Sequence, residues 1–193
     1  MRKVILMALL ASAVLMNACE KDNAANADTY GNGPRTNTPG LLQGNWMYGS
    51  FSMTEYWNQN PADYIGNAFE LAVAFRFNAN GTYDHYFTSK TVSGGVVTYH
   101  QSLTKGTLEV NEADKTITTH AASAHYKQTR NGTTTENRDL SENEITKTTK
   151  YAYELRTEPN GTQAVYLKLN GTGNALQFLQ KAGSQFNLLI AIL

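Results

Sequence analysis

One cysteine, Cys19, in 193 residues leaves no partner for an intramolecular disulfide. An excess of either charge is also missing, because 16 Lys and Arg balance 16 Asp and Glu. No Lys/Arg cluster stands out, so a nucleic-acid partner is not expected. Histidine is scarce: none of His85, His100, His120 and His125 lies two, three or four residues from another. No local ligand pair forms, and neither a metal nor another cofactor is expected. The Gly-x-Ser-x-Gly, His-Glu-x-x-His and phosphate-cradling patterns are absent as well. Asp63, Asp84, Glu109 and Glu154 are the carboxylates that would have to converge for acid–base chemistry. Nothing in their spacing brings them together, and the reading is non-enzymatic.

What is present begins with an address. Met1, Arg2 and Lys3 form a positive start, and the apolar run over residues 4–15 is too short to cross a bilayer. Leu15-Met16-Asn17-Ala18-Cys19 then resembles the end of a bacterial lipoprotein signal peptide. The resemblance implies cleavage after residue 18, lipidation of Cys19, and a membrane as partner through that anchor. An ordinary secretory peptide leaving a free thiol is the alternative. Glu20-Lys21-Asp22 resembles the charged tag of lipoproteins displayed on some Gram-negative surfaces. It implies an outer-membrane, surface-exposed protein, with periplasm-facing anchorage as the alternative. Residues 19–40, rich in Asn, Ala, Gly and Pro from residue 23 onward, read as a flexible linker. Its root-mean-square reach is roughly 25 Å.

The rest reads as short strands and tight turns. Phe69, Leu71, Val73, Phe75 and Phe77 alternate with small or polar residues, the cleanest period-two pattern in the chain. Asn78-Ala79-Asn80-Gly81 suits a three-residue hairpin loop closed by a glycine bulge. That loop sets Phe77 opposite Tyr83, Phe75 opposite His85 and Val73 opposite Phe87. Glu158-Pro159-Asn160-Gly161 repeats the device, pairing Leu155 with Val165, Tyr153 with Leu167 and Tyr151 with Leu169. Further strands are expected over residues 46–56, 96–105, 106–111, 115–120, 125–130, 133–139 and 175–180. Asn-Gly-Thr at Asn80, Asn131, Asn160 and Asn170 falls at turns each time, the preferred reading over glycosylation. Nine or ten strands in hairpin succession predict an all-β chain. An antiparallel up-and-down β-barrel over residues 41–181 would bury its own edges. Residues 57–66 would form a loop over the mouth, and residues 182–193 an apolar tail.

Leu42-Gln43-Gly44-Asn45-Trp46, Phe75-Arg76-Phe77-Asn78-Ala79-Asn80-Gly81-Thr82-Tyr83, and Gly106-Thr107-Leu108 leading to Lys115-Thr116-Ile117 together resemble the lipocalin-like domains of bacterial surface lipoproteins. The resemblance implies a small barrel or calyx with Trp46 across its base, binding a small apolar molecule. No Arg lies in the closing strand to stack on Trp46, which leaves Lys181 as the nearest cation.

The expected function is therefore to hold a small apolar or amphipathic molecule at the barrel mouth. Candidate ligand-binding residues are Trp57, Tyr64, Phe75, Phe77, Tyr83, His85, Phe87 and Tyr153. The competing reading is that these rings plug an interior barely wide enough for side chains, with His85 a buried, hydrogen-bonded core residue. A second hypothesis makes the chain a surface module whose polar hairpin, residues 126–150, contacts a glycan or an envelope protein. A barrel enzyme of unknown reaction comes third.

Overall fold

The computed structural model describes residues 29–49 and 69–183. Within them the chain is all-β: β1 (Gly44–Gly49), β2 (Phe69–Phe77), β3 (Thr82–Ser93), β4 (Val96–Asn111), β5 (Thr116–Arg130), β6 (Thr133–Asp139), β7 (Thr148–Thr157), β8 (Gln163–Leu169) and β9 (Leu176–Lys181). All neighbours pair antiparallel in a single sheet of order β4-β3-β2-β1-β9-β8-β7-β5-β6, and β4 also pairs with β5. That last pairing closes eight strands into a ring, with β6 outside it on the far half of β5.

Turn chemistry sets the registers. Asn78 N–H donates to Thr82 O at 2.9 Å, and Gly81, at φ 73°, donates to Asn78 O. Phe77 consequently faces Tyr83, Phe75 faces His85, and Val73 faces Phe87. The glycine at 81 has a second cause, since any Cβ there would collide with the Thr36 carbonyl oxygen. Glu158 and Gly161 repeat the pattern, and Leu155–Val165, Tyr153–Leu167 and Tyr151–Leu169 are opposed as the loop length requires.

The inward faces make one core: Leu42, Trp46, Phe75, Phe77, Tyr83, Leu108, Ile117, Tyr153, Val165, Leu167 and Phe178 are all buried. Trp46 is completely covered and seals the end of the ring that carries the tight turns.

Three sequence expectations need correction. The pairs of strands expected over 96–105 and 106–111, and over 115–120 and 125–130, are single long strands, β4 and β5. A register shift between Lys105 and Gly106 absorbs the irregularity that read as a break. Lys181 does not approach Trp46, because it pairs with Asn45 and so shares the opposite face of the sheet.

The expected leash is also bound along its described part. Thr36 N–H donates to Leu108 O at 3.0 Å, and its hydroxyl accepts from Val110 N–H at 2.7 Å. Thr38 N–H reaches Ala79 O, and its hydroxyl donates to Asn78 O. Further up the wall, the Tyr30 hydroxyl donates to Asp84 at 3.1 Å, and Lys105 Nζ lies 5.3 Å from the Tyr30 ring centre. Lack of periodicity hid this strap, since a segment laid on a ready-made sheet surface needs only a few well-placed hydroxyls and carbonyls. The expected mouth loop over 57–66, with Trp57 and Tyr64, lies outside the described residues, as do Cys19 and residues 184–193 of the tail.

Candidate functional site

Among the described residues the ring is filled at its tight-turn end, and a cavity lies above that filled part. β5 changes partner half-way along: β6 pairs with His125 to Arg130, and β7 with Thr116 to His120. Between those stretches Leu140 N–H donates to Ala124 O, and Ala121 N–H to Lys147 O. Residues 140–147 therefore leave β5 and return to it, arching beside a cavity of about 530 Å³. That volume falls within the roughly 300–1,000 Å³ range of small-molecule sites.

Phe75, Tyr83, His85 and Tyr151 give the cavity an aromatic base. Thr104, Thr119 and Thr149 turn hydroxyls towards it, and Leu140, Ile145 and Leu169 supply apolar contacts. Phe75 and His85 stack with centroids 4.5 Å apart, and Tyr151 meets Phe75 edge-on at 5.9 Å. Burial holds the Tyr83 and Tyr151 hydroxyls protonated, above the ordinary tyrosine range. Burial also pushes the His85 imidazole down to about 4, so the ring is neutral at pH 7.

His85 carries neither hydrogen bond nor ion pair to any described residue. It is not the hydrogen-bonded core residue of the competing reading. Glu144, the single carboxylate among the described lining residues, is already engaged. Arg138 donates to both its oxygens at 2.7 and 3.0 Å, and the Ser141 hydroxyl and N–H donate to Oε2. These bonds hold Glu144 down at about 2. The cavity thus presents apolar rings, neutral hydroxyls and one unpaired neutral imidazole.

Among the candidates from sequence, Phe75, Tyr83 and His85 line this cavity together. Phe77 lies beneath, stacked on Phe75 at 5.3 Å. Tyr153 is buried in the core below Tyr151, and Phe87 stands one inward position above His85, half-buried. The threonines, Ala124 and residues 140–149 were missed. Their signal was the run of small residues at inward positions of β5 and β7, readable once the β5 partner switch is known. Asp84, Glu109 and Glu154 do not converge. Asp84 sits outside the ring with Tyr30, Arg76 and Lys105, Glu109 holds His120 at 2.8 Å, and Glu154 holds Arg156 at 2.7 Å. His125 is bonded to Asp139 and Asn137, and no group of three metal-binding side chains occurs among the described residues.

No family model, curated protein or solved structure matches the chain.

Proposed function

We propose that this chain is a lipid-anchored, lipocalin-like barrel protein of a bacterial envelope that holds a small, uncharged amphipathic molecule in the cavity at its open end. It is a carrier and not an enzyme. The observation that supports this reading is the cavity itself: an aromatic base of Phe75, Tyr83 and Tyr151 carrying a neutral, unpaired His85. Apolar rings favour an apolar body, and a half-buried imidazole that faces the cavity without a protein partner favours a ligand that supplies one hydrogen bond. A charged ligand would lose its hydration with no free opposite charge to meet it.

The rival reading, a hairpin that grips a glycan or an envelope protein, has less support. The β5–β6 hairpin is exposed, but most of its acidic groups are already engaged, through Arg138–Glu136 and His125–Asp139, and Arg138 also holds Glu144 of the following arch. Native mass spectrometry of protein purified from its own cells tests the carrier. A retained small molecule is expected, and it should be lost in Thr149→Trp, where an indole opposite Thr119 fills the cavity. Protein recovered empty and binding no neutral amphiphile would overturn the reading. The anchor is tested by feeding cells an alkynyl fatty acid: label is expected on the chain and not on Cys19→Ser.

A further inference from the structure

The wall that forms the cavity does not stop at its rim. On the inward face of β3, β4 and β5, His85, Thr104 and Ala124 stand side by side. One step higher come Phe87, Ser102 and Tyr126, and one step above that Ser89, His100 and Gln128. Each step is about 6.7 Å along the strands, so the upper row stands roughly 13 Å beyond the cavity base.

The upper rows hold a connected polar cluster. The Tyr126 hydroxyl lies 2.6 Å from His100 Nδ1, and Gln128 Nε2 lies 3.4 Å from the same nitrogen. Gln128 Oε1 accepts from the Thr135 hydroxyl at 2.9 Å, which turns its amide nitrogen towards His100. Two donors therefore converge on Nδ1. The proton of a neutral His100 then sits on Nε2, which meets no described residue. A free ring N–H stands beside a tyrosine oxygen that can still accept, and beside the half-buried ring of Phe87. The flanking charges of Arg138, Glu136 and Glu144 are consumed by one another.

We propose that this cluster is a second half of the ligand site, built for a hydroxyl-rich, uncharged head such as a sugar. The ligand is then a neutral glycoside whose apolar body occupies the cavity. A hydroxyl group donates and accepts at once, as the His100–Tyr126 pair requires, and a sugar ring lays its C–H face on an aromatic side chain. A phosphate or carboxylate head would find no cation among the described residues of these three rows; the first on this face, the exposed Arg130, stands one row higher, opposite Thr98. The inference rests on the carrier reading and adds the head group to it.

The test compares hexyl β-D-glucopyranoside with 1-hexanol, titrated calorimetrically into the full chain as purified. The glucoside is expected to bind about ten-fold tighter, as one or two additional net hydrogen bonds provide. Tyr126→Phe and His100→Phe should each reduce that preference to less than about three-fold, with hexanol affinity unchanged. Equal affinities for the two probes in the native chain, or a preference that survives both variants, would overturn the head site while leaving the cavity intact. Binding of neither probe would remove the carrier reading and this inference with it. Thr149→Trp should abolish both affinities, which locates the hexyl chain in the cavity.

Discussion

Trp46 Nε1 donates to the carbonyl oxygen of Leu42 at 2.8 Å, and both side chains are sealed from solvent. The bond spans the glycine at 44, whose φ of 113° lets the chain double back from the Pro39–Leu42 turn into β1. Trp46→Phe keeps most of the buried area but strands the Leu42 carbonyl. It is expected to cost about 1–3 kcal/mol. Trp46→Ala should cost about 3–5 kcal/mol, because it also opens a cavity. Urea denaturation at unchanged m-value measures both. A Phe variant as stable as the native chain would show that the ring end is closed by packing alone.

His85 gives stability a defined pH dependence. Its folded pKa, about 4, lies below the ordinary 6.5, so between those values the unfolded chain binds more protons than the folded one. The His85 contribution is complete above pH 6.5 and drains away as pH falls towards 4. His85→Phe cannot titrate. The stability difference between native chain and variant should therefore move against the native chain as pH is lowered from 7 to 4.5. Parallel curves would mean that the imidazole is not desolvated.

At Gly106 a Cβ would overlap the His120 carbonyl oxygen and crowd the Ala121 Cα, both on the neighbouring β5. The β4–β5 register shifts at this residue, and the shift is what merges four expected strands into two. Backbone cannot retreat as a side-chain tip can. Gly106→Ala is expected to destabilise by about 1–3 kcal/mol. Gly40→Ala, with nothing within 4 Å, should change little. The comparison is by thermal unfolding, and equal effects at the two positions would remove the close-approach explanation.

Local patterns carried much of the fold and little of the cavity. Phe75 opposite His85 followed from one loop length, because a period-two strand flips every side chain with a one-residue slip. The β5 partner switch did not follow, since β7, which pairs with the first half of β5, lies more than twenty residues further along the chain and no local spacing encodes that pairing. Without the switch, residues 140–147 read as part of the polar hairpin over 126–150, and the aromatic base had no opposite wall. His85 was chosen as a candidate for its position in an aromatic row. Its missing hydrogen-bond partner is a fact of three dimensions. The strap over residues 29–38 was illegible for a different reason: it borrows its order from β4 and the β2–β3 turn.

That strap makes a prediction through Asp84. The carboxylate is almost fully buried outside the ring, and burial raises its pKa although Lys105, the Tyr30 hydroxyl and Arg76 all pull it down. A carboxyl with a raised folded pKa binds more protons folded than unfolded, just above its ordinary value of 3.8. The Asp84 contribution therefore favours folding most at acid pH and declines as pH rises through that window. Asp84→Asn removes the titration, so the native-minus-variant stability should fall as pH rises above 3.8 and then level off. Tyr30→Phe deletes a donor that favours the charged form, so in that background the decline should extend to higher pH. Urea midpoints for the native chain, Asp84→Asn, Tyr30→Phe and the double variant, taken every half unit between pH 3.5 and 7, measure the shift. If Tyr30→Phe leaves the window where it was, the tyrosine is not the carboxylate's donor, and the upper end of the strap is held by something other than this bond.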